Sequence, residues 1–181
     1  MEALGTAIGG YAPDFELPGT DGAVHHLARY LEKHRAIAVV FICNHCPYVQ
    51  MYTDRLKALQ TEFSGQGFTL IGINSNDADQ YPADGYEEMQ AFAADKSLNF
   101  PYLRDMTQDV AQTFGAEKTP HAFLVNQQGI LCYSGAIDDN AQDAGAVTQT
   151  YLRSAIVQAL NQHPISTAIT PPVGCSVKWR K

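Results

Sequence analysis

The most reactive pair of side chains in the sequence is Cys43 and Cys46, in the stretch FICNHCPYV. Two cysteines separated by two residues can form a reversible disulfide, supply half of a zinc site, or be small unreactive core residues. A structural zinc site needs a second ligand pair, and neither His25-His26 nor Cys175 offers a recognisable one. We therefore predict a redox pair, and we expect no metal and no organic cofactor.

The segments around this pair predict how its sulfurs are activated. The apolar run AIAVVFIC predicts a buried strand that ends at Cys43, and helical periodicity starts at about residue 44. Unpaired N–H groups at a helix N-terminus stabilise a thiolate, so we predict a lowered pKa for Cys43. Cys43 is then the nucleophile and Cys46 resolves the mixed disulfide. A protonated His45 beside the pair would stabilise the thiolate further.

The rest of the sequence predicts an α/β protein. Its elements follow the order β-α-β-α-β-β-α, with an extra helical segment before a final β-hairpin, which indicates a mixed sheet with helices on both faces. We expect one domain over residues 1–165 and a C-terminal tail over residues 166–181 that packs on it. The acidic stretch NDADQYPADGYEE is expected to be a solvated loop.

Composition narrows the class of function. The chain has 181 residues, of which 45% are hydrophobic and 17% charged, with a formal net charge of −7, so we expect no nucleic-acid partner. We also expect no membrane partner, because no apolar run is long enough to span a bilayer. The first residues show no basic and apolar signal pattern, which favours a cytoplasmic protein whose four cysteines do not form a structural scaffold.

Five stretches, in order, resemble the thioredoxin-like superfamily in its redoxin branch, which includes the alkyl hydroperoxide reductase/thiol-specific antioxidant (peroxiredoxin) proteins. They are GYAPDFELPGTDG, VVFICNHCPYV with its C-x-x-C-P motif, FTLIGINSND, LNFPYLRD and FGAEKTPHAFLVNQQGILCYSGAIDD. The resemblance implies a thioredoxin-like fold, in which a central mixed β-sheet is flanked by helices, with a helical insert and an N-terminal extension.

The same resemblance implies roles for residues far from the cysteines. The Thr119-Pro120 bond is expected to be the cis-proline that lies against the C-x-x-C pair. The backbone of Thr119 would then be free to pair with an extended substrate, and His121 would lie near the sulfurs.

Two departures from the family pattern affect the expected chemistry. Thioredoxins carry a buried acid at the position of Ile37, so we expect a fast thioredoxin-type mechanism only if another group, with Glu87 and Glu88 as candidates, takes over its proton-transfer role. Peroxiredoxins carry a threonine at the position of Val40, and without its hydroxyl we do not expect efficient peroxide reduction.

The sequence thus predicts a thiol–disulfide oxidoreductase that acts on protein or small-molecule thiols and disulfides. Two alternatives stay open: a peroxiredoxin-like thiol peroxidase or antioxidant protein, and a redox-sensing or copper-binding module that uses Cys43, Cys46 and a nearby histidine. In the tail, PPVGCSVKW, Cys175 is either a third redox thiol or a passenger on a segment docked through Trp179. The oligomeric state stays open.

Overall fold

A five-stranded mixed sheet organises the protein, which is described from a computed structural model over residues 5–181. The strand order is β5-β4-β3-β7-β8, with β3 parallel to β4, β4 parallel to β5, and β7 antiparallel to both β3 and β8. The elements in chain order are β1 (Glu16–Pro18), β2 (Val24–His26), α1 (Leu27–Lys33), β3 (Ala36–Phe41), α2 (Pro47–Phe63), β4 (Phe68–Asn74), α3 (Tyr86–Asp95), β5 (Tyr102–Arg104), α4 (Asp109–Phe114), β6 (Lys118–Thr119), β7 (His121–Asn126), β8 (Leu131–Gly135), α5 (Tyr151–Leu160) and β9 (Cys175–Ser176).

The central strand β3 shows why the sheet is covered on both faces. All six of its residues are buried, and alternate residues contribute to two separate hydrophobic clusters. One cluster takes Ala38 and Val40 together with the apolar faces of α2, α3 and α5, and the other takes Ile37 and Val39 together with α1 and α4. The predicted thioredoxin-like architecture, a central mixed sheet flanked by helices, is confirmed.

The junction between β3 and α2 differs from the prediction. The strand ends at Phe41, and the helix begins at Pro47 rather than near residue 44, with Cys46 as its N-cap. Proline suits the first helical position because its fixed φ is helical and its missing N–H would have no partner there. Residues 42–46 therefore form a short connection between strand and helix, and Cys43 lies within it.

The C-terminal segment packs on the sheet domain in two places. Thr170 is buried, and its hydroxyl accepts a 2.9 Å hydrogen bond from the N–H of Ala136. Further on, β9 pairs with β6 in an antiparallel ladder. Trp179 is 40% exposed, so this side chain is not the main anchor of the tail. No helix among residues 5–181 is long and apolar enough to cross a membrane.

Candidate active site

Cys43 lies in the connection between β3 and α2, and its thiol is almost fully buried. Burial raises the pKa of Cys43, which is opposite to the lowering predicted from the sequence. The hydroxyl of Thr119 and the backbone groups of Cys46 and His45 hydrogen bond to the thiol and act in the lowering direction, whereas the Asp84 carboxylate raises the pKa further. The hydrogen-bond donors that were predicted to lower the pKa of Cys43 are present. Their effect on this pKa is smaller than the opposite effect of removing solvent from around the sulfur.

The Thr119-Pro120 peptide bond is cis, as the resemblance implied, and it brings Thr119 against both cysteines. The Thr119 hydroxyl oxygen lies 3.5 Å from Cys43 Sγ, and the Thr119 carbonyl oxygen lies 3.4 Å from Cys46 Sγ. Strand β7, which follows Pro120, pairs with β3, which leads to Cys43, and this pairing holds the two segments together. Thr119 thus contacts both members of the predicted redox pair, Cys43 through its side chain and Cys46 through its main chain.

Cys46 forms a disulfide with Cys175, and Cys43 is free. The two joined residues are 129 positions apart in the chain, and their Cα atoms are 6.2 Å apart. The bond that the C-x-x-C motif predicted between Cys43 and Cys46 is therefore not the one formed in this state. The tail cysteine, which the sequence left between a redox role and a passenger role, is covalently bonded inside the site.

Asp84 is a site residue that sequence reasoning missed. It ends the short 3₁₀ turn Pro82–Asp84 within the stretch expected to be a solvated loop, yet its side chain is completely buried. Its Oδ1 accepts hydrogen bonds from the backbone N–H of Asn44 at 2.8 Å and from the Asn74 amide at 3.2 Å. Its Oδ2 accepts from the Asn76 amide at 3.0 Å and lies 2.7 Å from Nδ1 of His45.

Neither Glu87 nor Glu88, the two candidates for the missing buried acid, lies at the site. Both side chains are exposed in the first turn of α3, and the buried acid beside the cysteines is Asp84. No local signal distinguishes Asp84 from the exposed acids around it, because its burial arises from contacts with residues 44, 45, 74 and 76. The guanidinium of Arg104 lies on the other side of this turn and donates to the Asp84 carbonyl oxygen at 3.2 Å.

His45 lies beside the thiol but bonds to the carboxylate. Its ring is held between Asp84 and Tyr81, whose ring is stacked on it at a centroid distance of 5.9 Å. Cys43, His45 and Asp84 each offer one ligand atom, and these three atoms lie within 4.8 Å of one another. A thiolate, an imidazole and a carboxylate together can coordinate a soft or borderline metal ion. The copper-ligand set considered from the sequence also used Cys46, and that sulfur is engaged with Cys175 in this state.

His121 and Cys132 take part in packing and hydrogen bonding within the domain rather than in the cysteine chemistry. His121 is buried against Phe123, its Nδ1 accepts from the N–H of Glu117 at 3.1 Å, and its Nε2 lies 3.2 Å from the Ser134 hydroxyl, so its hydrogen bonds are made away from the sulfurs. Burial lowers the pKa of His121 to about 4. Cys132 packs beside the core, and burial raises its pKa to about 11, which makes it an unreactive thiol at neutral pH.

A sequence model of the AhpC/TSA family matches residues 8–134, which is well over half of the chain and includes both Cys43 and Cys46. The chain belongs to the AhpC/TSA family. This assignment confirms the resemblance drawn from the five sequence stretches.

Two solved structures are similar to this AhpC/TSA member over nearly its whole length. A hypothetical protein from Sinorhizobium meliloti 1021 is 34% identical with a TM-score of 0.89, covering 99% of each chain. An uncharacterized conserved protein from Geobacillus kaustophilus is 36% identical with a TM-score of 0.89, covering 96% of this chain and 93% of that one. Both similarities include the C-terminal region beyond the family match.

Among curated proteins, the thiol-disulfide oxidoreductase ResA of Geobacillus thermodenitrificans is 23% identical over 128 residues. The match covers 71% of this chain and 68% of ResA.

Proposed function

We propose that the protein is a thiol–disulfide oxidoreductase in which Cys43 attacks the substrate, Cys46 resolves the mixed disulfide, and Cys175 is a third redox thiol. The observation that carries the proposal is the free Cys43 thiol beside the Cys46–Cys175 disulfide, both against Thr119. A similar curated protein is named as a thiol-disulfide oxidoreductase, which supports the same chemistry. Substrates are disulfides of proteins or small molecules.

The proposed cycle starts with all three cysteines reduced. The Cys43 thiolate attacks one sulfur of a substrate disulfide, and the other substrate sulfur leaves as a thiolate and takes up a proton. The Cys46 thiolate then attacks Cys43 Sγ, which forms the Cys43–Cys46 disulfide and releases the rest of the substrate as a thiol. Two electrons have passed from the cysteine pair to the substrate.

Cys175 completes the cycle by a third exchange. Its thiolate attacks Cys46 Sγ, the Cys46–Cys175 bond forms, and Cys43 leaves as a thiolate that takes up a proton. The Thr119 hydroxyl and the backbone groups of His45 and Cys46 hydrogen bond to Cys43 and stabilise it as the leaving group. The product has the connectivity of the structure, and an external thiol reductant must return it to the reduced state.

A trapping experiment tests the assignment of roles. A protein with Cys46→Ser and Cys175→Ser keeps the attacking thiol but has no resolving thiol, so stable mixed disulfides with partner proteins should accumulate on Cys43. Cys43→Ser combined with Cys175→Ser should trap none, and Cys132→Ser should behave as the unmodified protein because that thiol lies outside the proposed site. If partners are trapped only by the protein with Cys43→Ser and Cys175→Ser, the roles of Cys43 and Cys46 are reversed.

Peroxide reduction is a second candidate, and one observation favours it. The hydroxyl that peroxiredoxins place three residues before their cysteine is absent at Val40, but Thr119 brings a hydroxyl to 3.5 Å from Cys43 Sγ. Cys43 would be oxidised by a hydroperoxide to the sulfenic acid with release of an alcohol or water, and Cys46 would condense with it and release water. Peroxide consumption with a dithiol donor, compared between the unmodified protein and Thr119→Val, tests this reading.

A further inference from the structure

Three side chains of metal-binding types meet beside the free thiol, from two segments of the chain. Cys43 and His45 lie in the connection between β3 and α2, and Asp84 lies between β4 and α3. Each offers one ligand atom within 4.8 Å of the other two, and no other three cysteine, histidine or acidic side chains in residues 5–181 come together in this way. The expectation of no metal rested on the missing second ligand pair, and Asp84 is a ligand that only the tertiary structure reveals.

The Asp84 carboxylate is held in a fixed orientation by neutral hydrogen-bond donors. The N–H of Asn44 and the side-chain amides of Asn74 and Asn76 donate to its two oxygens. The Tyr102 hydroxyl in turn donates to the side-chain oxygen of Asn44 at 2.7 Å and accepts from the Asn74 amide at 3.1 Å. Hydrogen bonds of this kind orient a ligating carboxylate, and their loss weakens metal binding.

The negative charge of Asp84 has one direct ionic partner in the described part of the chain. Arg104 donates to the main-chain carbonyl oxygens of residues 74, 76 and 84 and to the Asn74 amide oxygen, but not to the carboxylate. His45, at 2.7 Å, is the basic side chain that pairs with it. A buried carboxylate is paired with a cation or coordinates a metal ion. A divalent ion in this place would compensate both the carboxylate and an adjacent thiolate.

His45 provides a route by which an ion can enter. Its side chain is 36% exposed, whereas those of Cys43 and Asp84 are buried, and its ring is stacked on the exposed Tyr81. Zinc with bonds of about 2.0–2.3 Å holds its ligand atoms about 3.5 Å apart, so the imidazole nitrogen must move outward by less than about 1 Å. A partly exposed ring can make this movement without disturbing the core. Three protein ligands leave the fourth tetrahedral position to water.

We propose that Cys43, His45 and Asp84 form a binding site for a zinc ion. The donor set favours Zn²⁺, because Cu(I) selects sulfur ligands whereas Mg²⁺ and Ca²⁺ select oxygen ligands. On binding, the ion replaces the proton of the Cys43 thiol, and that proton passes to solvent. The site requires a free Cys43, as when Cys46 is bonded to Cys175, so the Cys43–Cys46 disulfide form excludes the ion.

Zinc at this site withholds Cys43 from thiol–disulfide exchange and so acts as a reversible block on the proposed function. The site itself needs only a free thiol, so binding and turnover are measured separately. Metal binding at Cys43 in a protein that reduces no disulfide would refute the proposed function alone. Turnover by a protein that binds no metal at Cys43 would refute the zinc site alone.

Cobalt(II) is the probe, because it occupies zinc sites and its complexes are coloured. The starting protein is the full chain with Cys132→Ser and with the Cys46–Cys175 bond formed, so Cys43 is its one free thiol. Titration with Co²⁺ should produce a sulfur-to-cobalt charge-transfer band in the near ultraviolet and the strong visible bands of tetrahedral cobalt. Added Zn²⁺ should remove both, and Cys43→Ser should abolish the charge-transfer band.

Variants of the other two ligands test the composition of the site. His45→Gln and Asp84→Asn should each weaken Zn²⁺ binding by about a hundredfold or more, since loss of a group that only orients a ligand already costs about 10–100-fold. His163→Gln and Asp79→Asn, on exposed residues outside the cluster, are the matched controls and should bind as the starting protein does. Formation of the tail disulfide reports whether each variant is folded, and the partly exposed His45 keeps the test available if Asp84→Asn does not fold.

Protection of the Cys43 thiol gives a readout that does not depend on cobalt. With Zn²⁺ at about ten times its Kd, alkylation of Cys43 by iodoacetamide should slow by about tenfold, in proportion to the protein left free, and a chelator should restore the rate. The same Zn²⁺ concentration should give no protection in His45→Gln. Absence of a charge-transfer band in the starting protein, or equal Zn²⁺ affinity of the starting protein and His45→Gln, would overturn the zinc site.

Discussion

Nδ1 of His45 lies 2.7 Å from Oδ2 of Asp84, so a partly exposed imidazole joins a completely buried carboxylate to the surface of the protein. Asp84 also acts on the charge state of Cys43, whose pKa it raises. Thioredoxins place their buried acid on the strand before the cysteines, at the position of Ile37 here. In this protein a carboxylate reaches the cysteine pair from the connection between β4 and α3 instead.

Replacement of this carboxylate should change the titration of Cys43. In a protein that carries Cys46→Ser, Cys132→Ser and Cys175→Ser, Asp84→Asn removes a negative charge that raises the pKa of Cys43, so the thiolate should form at lower pH. The rate of alkylation by iodoacetamide as a function of pH gives the midpoint. Asp79→Asn, on an exposed acid of the same loop, should leave the midpoint unchanged. A midpoint that stays the same or rises with Asp84→Asn would contradict the electrostatic role.

Thr119→Val should move the same midpoint in the opposite direction. The Thr119 hydroxyl hydrogen bonds to Cys43 and lowers the pKa of the thiol, whereas valine has nearly the same shape and no hydroxyl. At a fixed pH below the midpoint, alkylation of Cys43 should therefore slow. When Thr119→Val is introduced alone, with Cys46 and Cys175 intact, the Thr119 main chain still pairs with Cys175, so the Cys46–Cys175 disulfide should form normally. Loss of that disulfide would indicate a general disturbance of the site.

Anchoring of the tail should control how readily Cys175 reaches Cys46. The side chain of Gln108 is buried, donates to the Lys178 carbonyl oxygen at 2.9 Å, and accepts from the N–H of Arg180 at 2.9 Å. Gln108→Gly removes both bonds and relieves the positive φ of 69° at this position. Each bond contributes about 1 kcal/mol, so the loss of both should shift the equilibrium in a redox buffer from Cys46–Cys175 toward Cys43–Cys46 by about thirtyfold. An unchanged ratio would show that Gln108 does not control how readily the tail reaches Cys46.

His121 should make the protein less stable in acid. Its pKa is lowered by burial to about 4 in the folded state, against about 6.5 when unfolded, so the unfolded state binds the proton more readily. The free energy of unfolding therefore contains a term from neutral His121 that is fully present above pH 6.5. This term is lost as the pH falls from about 6.5 to about 4, and the total loss is about 3 kcal/mol. Urea unfolding at pH 7 and pH 4.5 should show a smaller difference for His121→Gln than for the unmodified protein. His163→Gln, on an exposed histidine, is the control and should retain the full difference.

Local sequence patterns predicted most of the fold. Hydrophobic runs located β3 and β4, amphipathic spacing located α2 and α3, and the Gln-Gly turn located the β7–β8 hairpin. The boundaries at the site were less accurate, because the start of α2 is set by Pro47 and the capping position of Cys46 rather than by apolar spacing. That difference places Cys43 outside the first helical turn, whereas the predicted direction of its pKa was wrong because burial outweighs the donors around the thiol.

By itself, the sequence determined the order of the elements, the position of the Cys43/Cys46 motif after a buried strand and, through the family resemblance, the cis bond at Pro120. These features depend on local residue patterns or on a short motif. Only the tertiary structure decided that Asp84 is buried next to the thiols and that Cys175 bonds to Cys46 opposite Thr119. Burial of a carboxylate and the reach of a tail depend on contacts between segments about 40 and 129 residues apart in the chain, and no local pattern encodes such contacts.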